Sequence, residues 1–122
     1  LREGWLCIAG GGRNLGWLEA PLFDQVNLVY WGDCDIHGLA CLSEARRLRP
    51  AISSILMDLD TWSSSELRTR DETEPGNLCF DGLTECEAAL LAAILAAPAA
   101  SARLEQELLP RPAIERALTG IR

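Results

Sequence analysis

The run Leu28-Val29-Tyr30-Trp31-Gly32-Asp33-Cys34-Asp35-Ile36-His37-Gly38 constrains the fold of this chain more than any other stretch. A short apolar, β-prone segment from Leu28 to Trp31 breaks at Gly32, two carboxylates follow with one residue between them, and Gly38 opens a helical pattern. That order reads as strand, acidic turn, helix. Side chains alternate along extended backbone, so Asp33 and Asp35 share a side while Cys34 turns away. Two like charges so placed repel unless a cation joins them. Open parallel sheets also bind ligands just beyond the carboxyl ends of their strands, which is where this pair stands. The chemistry that fits is a hard-cation site, magnesium first and manganese as its substitute. The plainer reading makes Asp and Gly turn residues, with Asp35 capping the helix that begins near His37.

Leu39, Leu42, Ala45 and Leu48 recur at helical spacing until Pro50 stops the pattern, and Ile52 to Met57 is a second β-prone run that ends in Asp58-Leu59-Asp60. Strand, helix and strand with short links form a right-handed βαβ unit whose strands are parallel and whose acidic ends share one edge. Asp58 is thereby a third candidate metal ligand beside Asp33 and Asp35, and Asp60 is a candidate N-cap for a helix from Thr61 to Leu67. Upstream, Trp5 to Ala9 reads as a strand ended by a turn at Gly10-Gly11-Gly12, which matches neither glycine-rich phosphate-binding pattern. Asn14 to Phe23 reads as a short helix or turn interrupted by Pro21. Downstream, Arg68 to Phe80 is polar and aperiodic, a mobile surface loop.

Thr84 to Glu87 forms a capping box before a stripe of Leu90, Leu91, Ile94 and Leu95 that Pro98 ends. A second helix is predicted from Ser101 to Pro110 and a third from Pro112 to Gly120. On the second, Leu104 and Leu108 mark a buried stripe. Glu105, next to that stripe, is the expected inward carboxylate supporting the acidic edge, and Glu107 the outward one. The whole is an α/β domain with a small parallel sheet and a helical C-terminal third.

A chain of 122 residues suits one domain. It begins with Leu1 and its only methionine is Met57, so it reads as a piece of a longer product. The net charge of −7 argues against a free-standing nucleic-acid binder, although carboxylates gathered at a metal site lower net charge without preventing DNA contact by a basic partner region. All 11 basic residues are Arg, and without lysine a phospho-acceptor aspartate lacks its usual phosphate-pairing partner. Arg46, Arg47 and Arg49 complement the end of the first helix. Five cysteines, an odd number with no CxxC pair, point to neither disulfides nor zinc and fit a reducing cytoplasm; the single His37 cannot build a histidine-rich metal site. The longest apolar run, Ala88 to Ala97, is too short to span a bilayer.

Three elements in order, Tyr-Trp-Gly-Asp33-Cys-Asp35-Ile-His37-Gly38, Ser54-Ile-Leu-Met57-Asp58 and Arg103-Leu104-Glu105-Gln106-Glu107, resemble the C-terminal Toprim-like region of the Wadjet nuclease subunit, the JetD-like proteins. The similarity runs from about Cys7 to Leu118. It implies a fold similar to the Toprim domain of the topoisomerase VI A subunit. It also implies a magnesium-dependent endonuclease that cuts plasmid DNA held by an SMC-like complex, with Asp33 and Asp35 matching the family's DxD ligands. Carboxylate-held magnesium suits that chemistry, since it neutralises charge at the scissile phosphate and activates the attacking oxygen. Toprim proteins add a glutamate at the end of an earlier strand. Glu3 and Glu19 are the only upstream glutamates here and neither is so placed, so the resemblance implies a domain without its first strand and inactive on its own. The implied partners are double-stranded DNA and the SMC-like Wadjet subunits, with no membrane, and a homodimer is compatible. The rival is a non-catalytic Toprim-like module that binds a partner.

Overall fold

The computed structural model of the protein describes residues 3–10 and 12–121. Its centre is the predicted strand, helix, strand unit. Strand β1 (Val29–Tyr30) leads through the acidic turn into α1 (Ile36–Leu48), and β2 (Ser53–Ser54) returns parallel to β1 with Val29 opposite Ser53 and Tyr30 opposite Ser54. One more bond, from the Ile55 N–H to the Tyr30 carbonyl at 3.0 Å, extends the ladder before Leu56 breaks it with a left-handed φ of 58°. The strand predicted over Ile52–Met57 is therefore shorter than its apolar run. Its two ends, Ile52 and Met57, are buried all the same.

The small α/β character is as the sequence predicts, and so are α3 (Glu85–Ala96), with both halves of its Thr84–Glu87 capping box, and α4 (Arg111–Thr119), followed by Gly120. Asn14–Phe23 resolves into two 3-10 turns, Gly16–Glu19 and Pro21–Gln25. The α2 helix (Leu59–Ser64) starts earlier than expected because Asp58, not Asp60, is its N-cap and accepts the Thr61 N–H at 2.8 Å.

Two expectations are corrected. Trp5–Ala9 forms no strand among the described residues, and Leu6 within it is 78% exposed, so its apolar run is not drawn into the sheet. Gly11 of the adjoining turn lies outside the described residues.

The helix predicted over Ser101–Pro110 is replaced by two 3-10 turns, Ala99–Ser101 and Gln106–Leu108, with extended chain between them. There Arg103 bridges Thr69 and Leu104 bridges Cys34, both antiparallel. Each bridge exchanges two backbone hydrogen bonds of 2.8–3.1 Å, so tertiary partners satisfy the groups a helix would satisfy internally. Arg68–Phe80 is loop as expected, joined near its start by the Thr69–Arg103 bridge and by the Asp71 N–H, which donates to the Ala99 carbonyl at 2.8 Å.

The core gathers Leu39 and Leu42 of α1, Met57, Leu90 and Ile94 of α3, and Leu104. Each such side chain contributes roughly 1.5–3 kcal/mol through burial. Within it, Glu87 accepts both Arg46 Nη1 and Nη2, the Ser54 hydroxyl at 2.6 Å and the Thr84 N–H at 2.9 Å, joining α1, β2 and α3. Arg49 is drawn away from its helix end in a similar way. Its Nε donates to the Leu18 carbonyl at 2.8 Å and its Nη1 to Asp24 at 2.6 Å, which fastens the 3-10 turns to α1. Among the described residues no helix is long and apolar enough to cross a membrane.

Candidate functional site

The acidic turn stands at the carboxyl end of β1 and is held residue by residue from the far end of the chain. Cys34 exchanges two backbone bonds with Leu104, its N–H to the Leu104 carbonyl at 2.9 Å and the Leu104 N–H back at 3.1 Å. On one side of that bridge Arg103 Nε donates to Asp35 Oδ2 at 2.8 Å, and on the other the Gln106 N–H donates to Asp33 Oδ1 at 2.8 Å. A single segment thus orients both carboxylates.

Alternation along the turn is as predicted. Asp33 and Asp35 line one cavity of about 860 Å³ together with Trp31, His37 and Glu107, while Cys34 points away and donates its Sγ–H to the Leu56 carbonyl at 3.3 Å. Their exposures differ. Asp33 is half-buried, whereas Asp35 is only 3% exposed and is the N-cap of α1, its Oδ1 accepting the Gly38 N–H at 2.6 Å. The capping and the site readings of Asp35 therefore describe the same carboxylate.

Burial lifts the Asp35 carboxyl above its ordinary range against the pull of the Gly38 N–H and Arg103, and the Asp33 charge adds to the rise. Burial likewise pushes the Cys34 thiol up to about 12, helped by Asp58, Asp35 and Asp33. The Tyr30 hydroxyl, which donates to the Gly38 carbonyl at 3.2 Å, is raised too, by burial first and then by Cys41 and the two aspartates.

Behind Arg103 stands Asp71, whose Oδ1 lies 3.5 Å from Arg103 Nη2 and accepts both the N–H and the hydroxyl of Thr73. Burial works against that carboxylate, but Thr73 and Arg103 outweigh it and hold its pKa below the usual value. Gly38 completes the site in another way: a Cβ there would overlap the Asp33 carbonyl oxygen, so only glycine lets the helix start so close to the turn.

The other expected site residues stand apart from this pair. Asp58 caps α2 and does not line the cavity. Glu105 is half-buried and makes no side-chain hydrogen bond or ion pair among the described residues; the groups that reach the turn are its neighbours, the Arg103 side chain and the Gln106 backbone. Among the described residues no three His, Cys, Asp or Glu side chains gather closely enough to hold a metal ion. Two carboxylates, one already saturated by Gly38 and Arg103, do not by themselves make the closed oxygen cage a magnesium ion needs. Sequence reasoning missed Arg103, Asp71 and the packing role of Gly38. The Arg103–Glu107 motif marked the right segment, and Glu105 is more buried than the exposed Glu107 as expected, but the side chain that reaches the turn is that of Arg103.

No curated protein matches the chain. The sequence model of the family described as Wadjet protein JetD, C-terminal, matches residues 2–118 and so takes in the acidic turn, both bridges and most of α4. The chain therefore belongs to the C-terminal family of the Wadjet protein JetD, and its role lies in a Wadjet defence system.

Proposed function

We propose that this domain supplies the acidic-turn part of a Toprim-type, magnesium-dependent centre that cleaves double-stranded DNA for a Wadjet system. The observation that carries this reading is Asp33: it lies just beyond the carboxyl end of the parallel strand β1, faces a cavity of about 860 Å³ and is fixed by the Gln106 N–H, with Oδ2 free of hydrogen bonds among the described residues. Strand ends of parallel sheets are where such folds bind ligands. Family membership supports the setting, in which the SMC-like subunits present the DNA and the remaining metal ligands come from outside these residues. Magnesium is the cofactor of this reading and manganese its substitute. Asp35 and Asp58 shape the edge around Asp33, and Glu105 sits in the segment that orients it.

The pairing of Asp35 with Arg103 favours a second reading, a non-catalytic Toprim-like module whose acidic turn is purely structural. One experiment separates the two. Supercoiled plasmid is incubated with the intact protein, its partner complex and magnesium, and the Asp33→Asn variant is compared with the parent. The nuclease reading expects nicking or linearisation that Asp33→Asn abolishes while the protein still folds and joins its partners. Equal cleavage by both removes Asp33 from the cleavage and leaves the acidic turn structural.

A further inference from the structure

A second, smaller cavity of about 330 Å³ lies between α1 and the loop before α3, and no residue of the acidic turn lines it. Cys41 and Glu44 stand on its helix side, Asn77 and Cys79 on its loop side, and Arg13 beside them. Cys41 is only 8% exposed and its thiol makes no hydrogen bond among the described residues, whereas Cys79 is open to solvent. Two free thiols of different exposure thus share one small hollow. Glu44 is already taken by Arg47, whose Nε and Nη2 donate to its two oxygens at 2.9 and 2.6 Å. Arg13 makes no ion pair or hydrogen bond among the described residues, and its charge stands close enough to Cys41 to oppose the effect of burial on that thiol.

We propose that Cys41 and Cys79 are a thiol–disulfide exchange pair whose oxidant is a small disulfide bearing a carboxylate, with Arg13 as the charge that receives it. Cys79 is the entry thiol, because it is the one an incoming reagent reaches. Its thiolate attacks one sulfur of the small disulfide; a mixed disulfide forms at Cys79, and the first half leaves as a thiolate that takes up the proton Cys79 has lost. Cys41 then gives its proton to solvent and attacks the Cys79 sulfur. The Cys41–Cys79 bond forms, and the second half leaves and is protonated in turn. Two protein thiols lose two electrons, and one small disulfide gains them to become two thiols.

The loop permits the second step. The backbone N–H and carbonyl of Cys79 make no hydrogen bond among the described residues, so residue 79 moves toward α1 without breaking a ladder, into the roughly 4.4–6.8 Å Cα separation a disulfide needs. Burial makes Cys41 slow toward reagents in solution, but a sulfur held in the same cavity meets it intramolecularly. A guanidinium forks onto a carboxylate through two parallel hydrogen bonds, which fits the unpaired Arg13 to an anionic disulfide rather than a cationic one. The finished bond fastens the loop before α3 onto α1.

The test exposes the intact, reduced protein to oxidised glutathione, which carries carboxylates, and in a parallel run to cystamine, which is cationic, and reads the digests by mass spectrometry. Cys7 and Cys86, also exposed, are the internal standards. Measured against them, labelling of Cys79 should be about tenfold higher with glutathione than with cystamine, and Arg13→Gln should remove that excess. The mixed disulfide at Cys79 should pass into a Cys41–Cys79 disulfide in the parent and persist in Cys41→Ser. If Cys41→Ser does not melt cooperatively, the parent decides alone, since the bridged peptide pair has its own mass. Equal Cys79 labelling by the two reagents overturns the proposal, and so does a mixed disulfide at Cys79 that never passes to Cys41.

Discussion

Arg103 and Asp35 lie 68 residues apart in sequence, yet the guanidinium Nε of one donates to the carboxylate of the other at 2.8 Å beneath the acidic turn. The contact makes Asp35 do two things at once, cap α1 through Gly38 and anchor the Arg103 segment, and its removal should be felt in both places. Asp35→Ala should lower stability by about 2–5 kcal/mol, the sum expected for a lost helix cap and a lost charged hydrogen bond. Asp35→Asn, which keeps the cap, should cost less. Urea unfolding of the two variants measures the difference, and equal losses would mean that the Arg103 contact rather than the cap dominates.

Gly38 faces a different demand. Because a Cβ there meets the Asp33 carbonyl oxygen, a rigid backbone atom, Gly38→Ala must push the turn away from α1. Overpacking of this kind costs typically about 1–3 kcal/mol. The expected outcome is a lower melting temperature, together with changed amide shifts at Asp33 and Gln106 in a heteronuclear NMR spectrum. A spectrum altered only at residue 38 itself would contradict the packing described.

Much of this architecture is legible in the sequence where it is local. The break at Gly32, the helical spacing of Leu39, Leu42 and Ala45, and the Thr84–Glu87 box each specify their element within a few residues, and each formed. The site's supporting half is not local. Leu104 and Leu108 stand four apart as on a helix, but the bonds that decide the conformation of Leu104 come from Cys34, so periodicity misled about the helix. The same limit explains Asp71. Nothing in a polar, aperiodic stretch announces that one of its carboxylates will be buried against an arginine from the next segment.

Acid should unfold the protein mainly through Glu87. Burial raises that carboxyl, but Arg46, Ser54 and Thr84 outweigh it, and its pKa lies below the ordinary glutamate value. The unfolded chain therefore binds the proton more readily, so the stability Glu87 provides is present above the unfolded pKa and is lost as pH falls through the folded one. Asp71 acts in the same direction. Asp35, whose pKa is raised, acts in the opposite one: its contribution weakens as pH rises out of the acid range. Glu87→Gln should cost about 3–5 kcal/mol at neutral pH, because Arg46 is left largely buried and unpaired, and should flatten the fall of melting temperature between neutral and acid pH. A slope unchanged from the parent would assign the acid lability elsewhere.

The thiols offer a chemical check on the turn. Cys34 is buried with its thiol pushed up to about 12, and Cys41 is buried and raised as well, chiefly by burial. Thiolate is the reactive form. Under native conditions at mildly alkaline pH, iodoacetamide should label the exposed Cys7, Cys79 and Cys86 quickly and leave Cys34 and Cys41 unmodified until denaturant is added. Rapid native labelling of Cys34 would show that the bridge to Leu104 opens readily.

The most direct test of the account is to locate the cation. Crystals of the intact protein soaked in Mn2+ and measured at the manganese absorption edge should give an anomalous peak bonded to the Asp33 carboxylate, with the Gln106 N–H still on its other oxygen and Asp35 still held by Arg103. A protein that cleaves DNA in Mn2+ yet shows its anomalous peak away from Asp33 would contradict the central claim.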